Sequence, residues 1–451
     1  MTAMTKHLRA SIVAAFAVAM LSGCAETSLP EASGKGSISA LNAIPGSPIL
    51  TFLIEERTLG VAGYKGSVAR QSFDDLSYNF NFDFRFLGDI ETTRIATHFT
   101  DMVADTDYTL VLTGSVAAPV VTQWERPERE WMDTETVFEV AFAHLSPGLG
   151  DVDVYLAPIG TDPVLGEERA KPSFGDRVPE IDLESAEYEV TITARDDPAT
   201  ILYKSANVIF SARVSYLIGI FDADAAITGN ISVRLITRTG SSSELPDPGF
   251  LPTLRTVHAA FGTENIDIYR DEDFTAPVFS NLGFGETTGD LPVPAETVAY
   301  TYTAVGNPGA IIDEKPQVTL AGQRSSTILA GMQGTNLRRI FLAGNRRSLV
   351  THAKLRVIHA AANFDTLDFY FVETGTDITD LSPTIGGLSF PTGTDFSAQL
   401  ANNYDVILTL PDEKTLLAPP MRIDLVNGDV VEALIMDTVD PMVANVVVTR
   451  F

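Results

Sequence analysis

Apolar and polar residues alternate with a period of two in many short runs along this chain. Examples are YNFNFDFRF (78–86), YTLVLTG (108–114), YEVTITA (188–194), YTYTAV (300–305) and YDVILTL (404–410). Such runs put one set of side chains on each face of a strand, and their Val, Ile, Thr, Tyr and Phe content suits a pleated, half-buried surface. Gly, Pro, Asn and Asp bound most of them, and no long stretch has the 3.6-residue period of an amphipathic helix. Short strands with turn signals between them predict an all-β fold of antiparallel sandwiches, immunoglobulin-like in kind, and not a parallel α/β sheet.

The strands recur in order. A phrase appears four times in degrading form: ISALNAIPGSPILTFLI (38–54), VAFAHLSPGLGDVDVYL (140–156), LRTVHAAFGTENIDIYR (254–270) and LRVIHAAANFDTLDFYF (355–371). Its two landmarks keep their spacing, with Asn42 to Thr51, His144 to Asp153, His258 to Asp267 and His359 to Asp368 all nine residues apart. A Tyr opening an alternating strand follows in each copy, at Tyr78, Tyr188, Tyr300 and Tyr404. Self-similarity of this kind predicts four tandem units, at 36–121 (divergent), 136–238, 253–347 and 354–451. Each is long enough to bury its own core, so the expected arrangement is beads in a row. The charged, Pro-containing TQWERPEREWMDTE (122–135) and the Ser/Pro/Gly-rich TRTGSSSELPDPGFLP (237–252) read as linkers, the second as a flexible waist near residue 245. The short join GNRRSLVTHA (344–353) predicts a more fixed angle between the last two units.

Composition adds a location and removes a class of partner. With 59 Asp plus Glu against 31 Lys plus Arg, the formal charge is -28, which repels phosphate backbones and argues against nucleic-acid binding. The chain has one cysteine, so it has no internal disulfide. That cysteine follows a basic start (Lys6, Arg9) and an apolar run, in Leu21-Ser22-Gly23-Cys24. This segment resembles the lipobox of bacterial lipoproteins. The resemblance implies a signal peptide at 1–23, lipidation of Cys24 and a tether at 24–35. Anchoring through lipid, and not a spanning helix, is the membrane attachment expected. Ala25 and Glu26 directly after the cysteine resemble lipoproteins sorted to the outer membrane, with the periplasmic or surface face left open.

The turns leading into Asp-Val-Tyr, in AHLSPGLGDVDVY and VIHAAANFDTLDFY, and the YTLVLTG strand resemble domain of unknown function family 4397. That family occurs in tandem in bacterial secreted and surface proteins and is regarded as an immunoglobulin-like module. The resemblance is good over the last three units and poor over the first. It implies an architecture and a location, and it brings no catalytic residues.

The repeated His and Asp are the first candidates for chemistry. If the phrase folds as an antiparallel hairpin turning between Asn363 and Phe364, then His359 faces Asp368, and the same register pairs His144 with Asp153 and His258 with Asp267. No Ser, Thr or Cys recurs beside the pair as a nucleophile. The first unit keeps the spacing with Asn42 and Thr51 in their place, which favours a structural hydrogen bond over catalysis. Histidines about a hundred residues apart are not zinc-ligand spacing, and the acidic turns at Asp222, Asp224 and at Asp271, Glu272, Asp273 lack the calcium-loop pattern. No Gly-rich phosphate loop, CxxC or HExxH occurs, and no cofactor is expected. Tyr188, Tyr300 and Tyr404 suit the corner position whose hydroxyl bonds back to main chain. Trp124 and Trp131 are read as packing between units or as a partner surface. Arg338, Arg339, Arg346 and Arg347 are read as salt-bridged to a neighbouring acidic unit or facing anionic lipid or acidic glycan. The expected protein is a non-enzymatic envelope lipoprotein presenting a row of modules for structural, adhesion or ligand-binding roles, with a glycan or envelope protein as candidate partner. The alternatives are an envelope carbohydrate-processing enzyme or a periplasmic carrier with a site between units.

Overall fold

A computed structural model describes residues 31–89, 91–224 and 228–451. Every named element among them is a strand, as the period-two pattern requires, and the strands form eight sheets, predominantly antiparallel. The sheets associate in pairs, spanning roughly 35–127, 137–245, 253–343 and 353–450, and each pair encloses a hydrophobic cluster drawn from both of its sheets. The signal-peptide segment and Cys24 lie outside the described residues. The end of the expected tether is part of the fold: Ser33 and Gly34 donate backbone N–H groups to Asp75, and Lys35 begins the first strand.

The fourth sheet pair shows how the repeated phrase folds. Ala353–His359 and Thr366–Glu373, expected to be two arms of one hairpin, belong to different sheets. The chain arches from one sheet to the other between them. In its own sheet Ala353–His359 runs parallel to Val430–Asp437, with His359 beside Ile435. In the facing sheet Thr366–Glu373 pairs antiparallel with Asn403–Thr409. The same parallel pairing joins Lys35–Asn42 to Thr106–Ser115, Val137–His144 to Ser215–Asp222 and Thr253–Phe261 to Arg324–Met332. The physical reason is burial. A two-stranded hairpin would leave one face of each apolar arm in water, whereas an arch places each arm inside a sheet with the partner sheet across the core.

The row of separate beads is also replaced. Leu41, Ala43 and Val111 of the first pair form one buried cluster with Ala143, Leu145, Phe221 and Ile236 of the second. Val257, Ala259, Ile328 and Ala330 of the third do the same with Ile358, Ala360, Leu434 and Met436 of the fourth. The segment read as a flexible waist contains the strand Ser242–Leu245, paired with Ile231–Thr237, and Leu245 is buried in the second core. Thr228 N–H donates to the Gly322 carbonyl (2.7 Å), joining second to third. First and fourth meet as well: Arg347 donates to the carbonyls of Pro45 and Ser47, and Gln399 to that of Leu87. His352 packs its ring 5.3 and 5.1 Å from Phe84 and Phe86. The four sheet pairs close into a cycle.

Candidate functional site

The repeated His and Asp are not partners. Each His is fully buried and closes the arch by itself, His144 and His359 as the last residue of their strands and His258 near the end of its own. The Nδ1 of His144, His258 and His359 accepts the backbone N–H two residues on, from Ser146, Ala260 and Ala361. Nε2 then bonds to a carbonyl farther round the arch, that of Gly150, Glu264 or Phe364, at 2.9–3.2 Å. Both nitrogens are committed, so the ring has no capacity left to act as a base. Asn42 reproduces the pattern in the first sheet pair: its Oδ1 accepts from Ile44 N–H, and its Nδ2 donates to Ser47 Oγ and the Ala62 carbonyl.

Each Asp works in the facing sheet. Asp153 accepts from Asp196 N–H, Asp267 from Asn281 and Gly306 N–H, and Asp368 from Gly387 N–H, each near 2.8–2.9 Å. These bonds fasten edge loops. Its cross-strand neighbour is a threonine every time, Thr193, Thr303 or Thr409, whose hydroxyl donates to the next carbonyl. The first sheet pair exchanges the two residues across the ladder, with Thr51 opposite Asp83. The threonines were missed in the sequence because loops of different length separate them from the Asp. A Thr near the end of the alternating strand in the last three units, at Thr193, Thr303 and Thr409, was the available signal.

The other candidates are mostly internal. Tyr188 and Tyr404 make the corner bond to the carbonyls of Glu184 and Leu400 (2.9 and 3.2 Å), while the buried Tyr300 hydroxyl has no partner among the described residues. Two corners went unpredicted, where Tyr108 and Tyr216 hydroxyls accept from Val103 and Ser211 N–H. Trp124 packs against the cluster between first and second sheet pairs, and Trp131 is half-buried beneath Arg129, 3.9 Å away. Of the four arginines, Arg339 pairs with Asp313, Arg346 with Asp290, and Arg347 bridges to the first sheet pair; only Arg338 is exposed. The acidic turns are used locally: Asp222 accepts from Ser146 and Gly148, Asp224 pairs with Lys65 (3.4 Å), Asp271 accepts from Ala299 N–H, and Asp273 from Thr275.

Burial pushes the His359 imidazole down to about 4, against the Phe364 carbonyl, which favours the charged ring. His359 is therefore neutral in the folded chain at every pH above that value, while in the unfolded chain it titrates near 6.5. As pH falls from about 6.5 to 4 only the unfolded state takes up the proton, so stability falls across that window by roughly 3 kcal/mol from this one ring. Replacing His359 with Ala should cost ~1–3 kcal/mol at neutral pH and flatten the acid limb of a urea-denaturation series. His359→Asn, which copies Asn42, should cost less. An acid limb unchanged in His359→Ala would refute this assignment.

One solvent-accessible space joins the two ends of the chain. A cleft of about 700 Å³ lies where the first sheet pair meets the fourth. Arg85 and Tyr64 come from the first; Arg347, Lys354, Arg356 and Phe396 come from the segment entering the fourth and from the fourth itself. Lys354 follows Ala353 at the start of the arch strand, is only 5% exposed and donates to the carbonyls of Asn345 and Arg347 (2.9 and 2.8 Å). Burial and then Arg347 push its ammonium down to about 7, with Arg356 adding and Asp224 opposing. Arg356 lies 4.0 Å over the Phe396 ring, and Lys354 lies over the same ring at 4.9 Å. Tyr64 carries Arg347 at 5.0 Å and Lys65 at 5.9 Å.

A family model described as Domain of unknown function (DUF4397) matches residues 252–370, the third sheet pair and the opening arch of the fourth. No curated protein matches the chain in sequence. Among solved structures, it is similar to a family 41 carbohydrate-binding module, in a study of alpha-glucan recognition by streptococcal virulence factors. The identity is 12%, over 42% of this chain and 94% of that one, with a TM-score of 0.16. It is also similar to the Bacillus anthracis TIE protein, at 8% identity over 90% of this chain and 69% of that one, TM-score 0.14. A family 26 module from Eubacterium rectale Amy13K, solved with maltoheptaose, gives 12% identity over 44% and 95%, TM-score 0.15. TM-scores this low transfer neither a site nor a ligand.

Proposed function

We propose that this chain is a non-enzymatic, lipid-anchored protein of the bacterial cell envelope, held at the outer membrane through Cys24, whose four repeated sandwiches together bind a ligand between the first and the last. The cleft of about 700 Å³ carries this reading. It has the size of a small-molecule site and lies at a junction between sheet pairs, where such sites concentrate. The fate of the repeated phrase supports a binding role over an enzymatic one, because its His and Asp side chains are spent on backbone groups of the arch and the edge loops.

Two measurements test the reading. Cys24→Ser should move the protein from the membrane fraction to the soluble one, and tight membrane association in that variant would remove the anchor. Lys354, which lines the cleft, reports on occupancy: small molecules extracted from the envelope should slow its acetylation, followed by mass spectrometry on the full chain. If no extract changes the labelling of Lys354, the cleft is not the ligand site.

A further inference from the structure

We propose that the ligand of this cleft is a multiply charged oxyanion of the phosphate type, held by Arg85, Arg347, Lys354 and Arg356. The inference rests on the reading of the cleft as the ligand site and adds the chemistry of what fills it. In a chain where acids outnumber bases by 59 to 31, the lining of this cleft reverses the balance, with four bases and one acid, Asp395. The reversal is only partly offset from behind, by the buried Asp224, which acts on Arg347 and Lys354 but is ion-paired with Lys65 at 3.4 Å. Among the described residues, Arg85, Arg347 and Lys354 make no ion pair within 4 Å. Arg356 lies 3.9 Å from Glu432, which is already bonded to Arg255 at 2.6 Å, and Asp395 of the cleft lining acts on it more weakly. The hydrogen bonds of Lys354 and Arg347 go to backbone carbonyls, whose partial charges orient a cation without balancing it.

Buried cations that lack a counter-ion are costly, and the cost is recovered when an anion brings its charge to them. Guanidinium groups suit an oxyanion because their planar N–H forks match its oxygens, and a lysine adds a compact charge. A phosphate-type group, with three free oxygens, has acceptors for donors converging from both sides of the cleft. Stacking of a neutral sugar is the less suitable chemistry here. The two aromatic rings of the lining, Tyr64 and Phe396, already carry cations 4.0–5.9 Å from their centroids.

The test is calorimetric titration of the full chain, in a neutral detergent, with inorganic pyrophosphate. One site is expected, weakened about tenfold by Arg85→Ala and at least as much by Lys354→Met, and unchanged by Arg338→Ala, which is exposed and outside the cleft. Arg85 is exposed, so Arg85→Ala keeps the test valid even where Lys354→Met disturbs the fold. Absence of pyrophosphate binding, or binding that Arg85→Ala leaves intact, overturns the proposal. Competition by phosphatidylglycerol vesicles, and not by phosphatidylcholine vesicles, would assign the group to a lipid headgroup; no competition by either would assign it to a soluble phosphate. A neutral oligosaccharide that protects Lys354 from acetylation where pyrophosphate does not would overturn the oxyanion while leaving the cleft as the ligand site.

Discussion

Glu432→Ala should lower the stability of the joined third and fourth sheet pairs by about 3–5 kcal/mol, the range for breaking a buried ion pair from one side. Glu432 is 2% exposed on the strand Val430–Asp437, and its Oε1 accepts from Arg255 of the third sheet pair at 2.6 Å. Arg255 and Arg356 are each 2% exposed as well. Removing the carboxylate leaves two buried guanidiniums between the sheets, Arg255 with no ion-pair partner among the described residues and Arg356 with only the weaker influence of Asp395. The loss is therefore mostly a desolvation penalty, and it predicts its own remedy: Arg255→Met added to Glu432→Ala should restore a good part of the stability. Urea denaturation of the full chain measures both. A loss below about 1 kcal/mol in Glu432→Ala would show that water already reaches the pair.

Phe221→Ala should cost a similar amount, ~3–5 kcal/mol, by opening a cavity where first and second sheet pairs meet. The ring is fully buried, lies edge-on to Tyr64 at 6.0 Å and belongs to the cluster shared with Leu41, Ala43 and Val111. Gly219 makes room for it, since a Cβ there would fall 2.7 Å from Phe221 Cε2. Because the side chain serves the junction and not the second core, the variant should unfold in two resolved steps where the parent unfolds in fewer. An unchanged denaturation profile would mean that the junction contributes little to holding the pairs together.

These junctions mark where sequence reading stopped. Period-two alternation locates strands that have one wet face, and it found the strands of the facing sheets well. The arch strands are buried on both faces, with Phe138, Val140 and Phe142 inside the second core and Ala141 and Ala143 turned to its surroundings. Small apolar residues on the second face, as in VFEVAFAH and LRTVHAAF, are the mark of one sheet packing closely on another. A reading that asks only for a core takes them as ordinary strand composition. The fixed interval from His to Asp was real, but it measures an arch, and a hairpin of the same length leaves the same trace. The cleft was legible least of all. Its lining runs from Ser47 to Ala398, and of its four cations only Arg347 was a candidate in the sequence; Arg85 and Arg356 sat unremarked inside strand runs.

The contact between first and fourth sheet pairs is small and largely polar, a few bonds from Arg347 and Gln399 with His352 against two phenylalanines. Two separate molecules would gain little from such a patch. Within one chain the other three junctions hold its halves together at an effective concentration far above any in solution, so weak bonds suffice to keep it shut. The mouth of the cleft is thereby set from a distance. Its width depends on junctions whose residues never touch the ligand, and a loosened contact at Phe221 or Glu432 would appear first as a loss of affinity.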